Sequence, residues 1–113
     1  MPQIIVYAKS GDGEPHQVVF ASEEGKLTIT CDCERGIKGH YCEHKVRLAV
    51  NDHLLLSNPA QIRDLNEAHI WVIQAPVSDL ILSLLQLEGD PEGNEEAIRR
   101  TQLEIAAAMR EGT

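Results

Sequence analysis

Apolar and polar residues alternate in three short stretches near the N-terminus. Gln3 to Lys9 reads as a first strand, Gln17 to Ser22 as a second and Lys26 to Cys31 as a third. In the third, Leu27 and Ile29 alternate with Lys26, Thr28 and Thr30, the period-two pattern of a strand with one buried face. Gly11 to Pro15 supplies turn-formers between the first two strands. Glu23-Glu24-Gly25 suits a tight hairpin whose glycine takes a positive φ. The pattern predicts a small antiparallel meander.

The period then changes. From Glu43 to Leu56, Val46, Ala49, Val50, His53 and Leu54 fall at helical spacing, with Leu48 and Leu55 as a second row. A single helix over this range would leave Lys45, Arg47 and Asn51 facing water. Asn58-Pro59-Ala60-Gln61 reads as a helix start, with Asn58 as cap, Pro59 in the first turn and Gln61 at capping-box spacing. Ile62, Leu65, His69 and Val72 form the inward stripe of that helix. Ile70 to Ile73 is also rich in strand formers; helix is the preferred reading, and Pro76 ends it. Ser78 is placed to cap an apolar helix from Asp79 to Leu87. After the loop Gly89 to Gly93, Asn94 is placed to cap a last helix with Ile98, Gln102, Ile105 and Met109 on one face.

The expected fold class is α+β. Residues 1–57 would form the meander with the region around Cys31 to His44, and residues 58–113 a helical part packing on it. A chain of 113 residues with 42 % hydrophobic content can build one modest core. Ile70 to Leu87 is apolar, but Gln74, Pro76, Ser78, Asp79 and Ser83 interrupt it, against a membrane span. Leu80 to Leu87 is apolar on most sides, so it is either core or a surface for a partner or a second copy.

The chemistry is concentrated in fourteen residues. Cys31, Cys33, Cys42 and His44 include every cysteine of the chain, spaced Cys-x-Cys, eight residues, Cys-x-His. Three thiols and an imidazole match the tetrahedral set that Zn²⁺ prefers, and four protein ligands make the site structural rather than catalytic. Cys31 and Cys33 sit at the end of a strand, where residues i and i+2 share a face. A reversing loop, Glu34 to Tyr41, then returns Cys42 and His44 at the start of a helix. A disulfide fits poorly. Three cysteines leave one over, and an i, i+2 pair in a strand has Cα atoms about 6.5–7 Å apart, at the limit of disulfide geometry. His40 is an alternative donor to His44. His16 and His69 read as structural, and His53 as a core-edge residue with a hydrogen-bond partner. Glu34 and Glu43 flank ligands but read as solvated acids, and no enzyme motif accompanies them.

Cys31-Asp32-Cys33, a glycine-containing loop, and Cys42-Glu43-His44-Lys45-Val46-Arg47-Leu48-Ala49 resemble the SWIM zinc finger over His16 to Asn51. In that family a β-hairpin carries the Cys-x-Cys and a helix follows the Cys-x-His. The resemblance implies one structural zinc and interaction with DNA or protein, and no reaction.

Charge separates those two partners. The formal net charge is −8. Residues 31–50 carry Arg35, Lys38, Lys45 and Arg47 against three acids, whereas residues 51–113 carry four arginines against eleven acids. Three zinc-bound thiolates would cancel the small excess of the finger. Duplex binding needs several clustered phosphate contacts, so the expectation is a non-enzymatic zinc-binding module that meets another protein or itself. Nucleic-acid binding through Arg35, Lys38, Lys45 and Arg47 is the alternative. Met1 to Ser10 lacks a basic segment followed by a long apolar run, which leads to the expectation of a soluble, cytoplasmic protein with no membrane partner.

Overall fold

The structure, a computed structural model, describes residues 2–9 and 13–112. Of the loop expected from Gly11 to Pro15, Gly11 and Asp12 lie outside the described residues. The protein is α+β: a three-stranded antiparallel sheet followed by helices. Strands β1 (Gln3–Ala8), β2 (His16–Glu23) and β3 (Lys26–Cys31) pair in the order β1-β2-β3. The hairpin between β2 and β3 closes with two residues, Glu24 at φ 51° and Gly25 at φ 79°. Positive φ at both positions is what matches a two-residue turn to the twist of the strands.

The pleat divides the sheet into a dry face and a wetter one. Val6, Ala8, Val18, Phe20, Leu27, Ile29 and Cys31 are buried on the first. The register sets Val6 beside Val18, Phe20 beside Ile29 and Val18 beside Cys31, so these residues form one continuous floor. Helices cover it: α1 (Glu34–Ile37), α2 (Glu43–Ala49), α3 (Ile62–Ile73), α4 (Val77–Glu88) and α5 (Glu95–Glu111). Helix α5 lies against β3 and α4, and α3 against β1. One buried cluster takes Leu65, Ala68, Val72, Ile81, Leu84, Ile105 and Met109 from the helices and joins them to the sheet residues.

The outer edge of β1 is closed by later chain. Ser57 N donates to Tyr7 O (2.8 Å) and Lys9 N to Leu55 O (2.7 Å). The Gln61 amide completes the closure: Nε2 donates to Ile5 O at 3.1 Å and Oε1 accepts from Tyr7 N at 3.0 Å. Asn58 caps the turn Pro59–Gln61 as expected, through Ala60 N (3.0 Å). Gln61 does not make the expected capping box, because its amide serves the strand edge instead.

Several boundaries differ from the periodicity. The helix expected from Glu43 to Leu56 stops at Ala49. Asn51 is left-handed (φ 66°), Asn51 N donates to Leu48 O and Asp52 N to Arg47 O, the paired bonds of a Schellman stop. A separate 3-10 turn, His53–Leu55, follows, started by the Asp52 carboxylate at Leu54 N. Leu54 therefore points to solvent, 82 % exposed, while Leu48, Leu55 and Leu56 are buried. His53 is exposed and bonds Asn51 and Asn66, and Ile62 and Val50 lie at the surface. Ile70 to Ile73 is helical. Helix α4 starts at Val77 directly after Pro76; Ser78 lies inside it and its hydroxyl donates to Ala75 O. Asn94 precedes α5 but donates to Asp90 O rather than capping. On α4, Ile81 and Leu84 are core, whereas Leu82 and Leu85 are exposed. Among the described residues no single helix is long and apolar enough to cross a membrane.

Replacing Gln61 with Ala removes two bonds from the β1 edge. The expected cost is about 1–2 kcal/mol at the usual net value of each bond, with faster amide exchange at Tyr7. Exchange at Tyr7 that matches the wild type would show that Gln61 does not hold the edge.

Candidate metal centre

The dry face of β3 ends at Cys31, so the pleat that builds the core also turns this thiol inward. Asp32 breaks the pairing. Its carboxylate accepts from Gln17 N (2.9 Å) and meets His16 Nδ1 (3.1 Å), fixing the chain where it leaves the sheet. Cys33 then caps α1, its Sγ accepting from Gly36 N at 3.3 Å. The loop expected from Glu34 to Tyr41 thus contains a helical turn. Gly39, at φ 73°, reverses the chain, and Cys42 stands at the N-cap of α2 with His44 in its first turn.

The four side chains converge. One donor atom from each of Cys31, Cys33, Cys42 and His44 lies within 4.8 Å of the others, an arrangement that could hold one metal ion. Cys33 Sγ and Cys42 Sγ are 3.3 Å apart; His44 Nδ1 is 3.8 Å from Cys31 Sγ and 3.6 Å from Cys42 Sγ. A tetrahedron with metal–sulfur bonds of about 2.3 Å and metal–nitrogen bonds of about 2.0–2.1 Å has edges of about 3.5–3.8 Å. The sulfur–nitrogen separations fall in that range, and the sulfur pair is slightly tighter. No pair is at bonding distance for a disulfide. His40, the alternative donor, is exposed and outside the cluster. Glu34 and Glu43 are exposed, and Glu34 pairs with Lys38 (3.3 Å).

The surroundings act differently on Cys31 and Cys42. Gly36 N–H points at Cys33 Sγ, and the N–H groups of Cys33 and Lys45 stabilise the charged forms of Cys31 and Cys42. The hydrogen bond between Cys31 and Cys42 splits that pair. Cys42 is drawn well below the usual thiol range by it, whereas Cys31 is pushed up by it and then by burial. A soft cation meeting this set would replace the remaining protons. Tyr41, beside Cys42, is pushed up to about 12, first by burial and then by the charges of Glu88, Glu43 and Cys42.

Four features of the site were not read from the sequence. Gly36 is required by space: a Cβ there would sit 2.3 Å from Cys31 O and 2.8 Å from Cys31 Cβ. His16, read as an isolated histidine, lies beside His44 with ring centroids 5.4 Å apart and planes tilted by 37°. Arg110, at the end of α5, donates through Nη1 to Gly39 O (2.9 Å) across the loop between the cysteine pairs. Lys45, expected to face water, lies in the first turn of α2 and is 2 % exposed. Burial pulls its ammonium below the ordinary lysine range, while the charges of Cys42, Cys31 and Cys33 act to hold it up. The spacing of Gly36, three residues after Cys33, was a visible signal. The others depend on tertiary contacts.

Comparison of the chain with family models, with curated proteins and with solved structures finds no match.

Gly36→Ala cannot be accommodated without moving Cys31 or α1. Overpacking of this kind costs about 1–3 kcal/mol, and here it lands on two of the four donors. The variant is expected to lose metal affinity by at least tenfold in a chelator competition while the helices keep their far-ultraviolet signal. Wild-type affinity in this variant would show that the knuckle around Cys33 does not fix the donors.

Proposed function

We propose that this protein is a non-enzymatic zinc-binding module of the SWIM type that acts as a small protein-interaction subunit. The observation that carries the metal reading is the convergence of Cys31, Cys33, Cys42 and His44 within 4.8 Å, from a strand end and a helix start. Zinc is favoured because three sulfurs and one imidazole at tetrahedral spacing suit it better than they suit Mg²⁺ or Ca²⁺, which take oxygen. Four protein donors leave no position for a reactive water, which supports a structural role. SWIM type is supported by the hairpin before the Cys-x-Cys and the helix after the Cys-x-His.

The choice between protein and nucleic acid turns on the four basic residues of the finger. Lys45 is buried. Arg47 is bound to Asp52 through Nε (2.9 Å) and Nη2 (2.7 Å), and Lys38 pairs with Glu34. Arg35 is left to meet a phosphate, too little for counterion release to drive binding. Against that stands an apolar surface. Val50, His69, Val72, Ile73, Ile81 and Leu82 line a groove where α2, α3 and α4 meet. Ile73 and Leu82 are 58 % and 57 % exposed there. A groove with such rims suits an apolar partner surface.

One zinc per chain is expected by elemental analysis, falling to well under one in Cys33→Ser. Structural zinc in small fingers is worth roughly 10–16 kcal/mol of apparent binding energy, so chelation should raise amide exchange throughout residues 31–49. Full protein with free thiols and no bound metal would overturn the reading. For the partner half, Ile73→Asp with Leu82→Asp should abolish association with a co-purified protein or a second copy at unchanged zinc content. Submicromolar, salt-sensitive binding to DNA that is lost on Arg35→Ala would instead favour nucleic acid.

A further inference from the structure

The groove where α2, α3 and α4 meet has a shape and a charge, and together they narrow the partner. Ala49, Val72 and Ile81 are its buried floor; Val50, Ile73 and Leu82 are its exposed walls. Its volume is about 270 Å³. That exceeds the roughly 150 Å³ that accommodates a benzene ring and falls short of the roughly 300–1,000 Å³ usual for small-molecule sites. A socket of this size takes one or two large apolar side chains. Helices and the C-cap of α2 supply the lining, so it offers no open strand edge to an extended segment. What packs between helices is the apolar ridge of another helix.

Charge decides whose helix it is. Asp79, exposed in the first turn of α4, is the one carboxylate on the lining, and no lysine or arginine lies there. No ion pair among the described residues includes Asp79. The rest of this half of the chain is acidic too: residues 51–113 carry eleven acids against four arginines. A two-fold contact through the groove would bring the Asp79 of both copies into one interface, within chains of net charge −8. A cationic partner meets no such opposition. We propose that the groove receives an amphipathic helix of another protein, whose apolar ridge fills the socket and whose flanking lysine or arginine pairs with Asp79. The inference deepens the protein-interaction reading above and rests on it.

The test uses the full chain and two synthetic amphipathic peptides of about 18 residues, five helical turns. They share a leucine ridge and differ only in carrying lysine or glutamate beside it. Affinities are measured by titration calorimetry. The lysine peptide should bind the wild type about three- to tenfold tighter, the scale of a surface ion pair exchanged for a repulsion. Asp79→Asn should reduce that preference, Asp79→Lys should remove or reverse it, and Leu82→Asp should abolish binding of both peptides. Glu104→Lys changes the net charge equally at an exposed position of α5 outside the groove, and should keep the preference. A preference that survives Asp79→Lys, or that Glu104→Lys removes as fully, overturns the pairing with Asp79. Equal binding of the two peptides, lost in Leu82→Asp, keeps the apolar-groove reading and overturns the cationic partner. Binding of neither peptide overturns both. A dimer that Leu82→Asp dissolves and the lysine peptide does not displace assigns the groove to a second copy, and so overturns the proposal.

Discussion

Leu27, Ile29 and Cys31 share one face of β3, and that alternation joins the core to the metal cluster. The strand has period two, so any register that buries Leu27 and Ile29 must also bury Cys31. A slip of one residue would expose all three and present Thr28 and Thr30 to the core. The hairpin turn at Glu24 and Gly25 fixes the register, since its two positive φ angles admit one pairing, Glu23 with Lys26. The apolar core therefore specifies where the first sulfur goes. The second follows from Asp32, which leaves the sheet under restraint from Gln17 and His16, and from Gly36, whose missing side chain lets α1 fold back onto Cys31.

What could be read from the sequence was what depends on neighbours along the chain. The alternation of Leu27 and Ile29 with Thr28 and Thr30 gave the strand. The Cys-x-Cys and Cys-x-His pairs gave the four residues that the fold brings together, and the family resemblance preferred His44 over the exposed His40. The helix of Ile70 to Ile73 was preferred over the strand its β-branched residues suggested, because the flanking stripe Leu65, His69 and Val72 has helical period. The errors have a common cause. Hydrophobic spacing ran on past Ala49 through Val50 and Leu54, but Asn51 and Asp52 supply a stop through backbone bonds that spacing does not register. Lys45 was placed in water by the helical stripe of apolar residues, yet it is 2 % exposed. His16 and Arg110 act over 28 and 71 residues of sequence, beyond any local pattern.

The early end of α2 also shapes the rest of the surface. With Asn51 left-handed, the chain turns away and His69 Nδ1 can donate to Ala49 O at 2.9 Å, which ties α3 to the open carbonyl end of α2. A continuous helix to Leu56 would have occupied that space. The groove lined by Val50, Val72 and Leu82 is the gap that remains between α2, α3 and α4 once the helix has stopped. The apolar excess of α4 is divided accordingly. Ile81 and Leu84 fill the core against α5, while Leu82 and Leu85 stay outside.

The helical part is bound to the donor loop rather than merely attached to it in sequence. Met109 and Ile105 carry α5 onto β3, and the same helix ends with Arg110 on Gly39 O. Gly39 is the residue that turns the chain back toward Cys42, and a Cβ there would strike Arg110 Cδ at 2.9 Å. At the other end of the finger, His69 holds Ala49 and the Gln61 amide holds β1. Cys42 and His44 lie between these fixed points. The donors are thus brought near their separations by apolar packing and long-range hydrogen bonds.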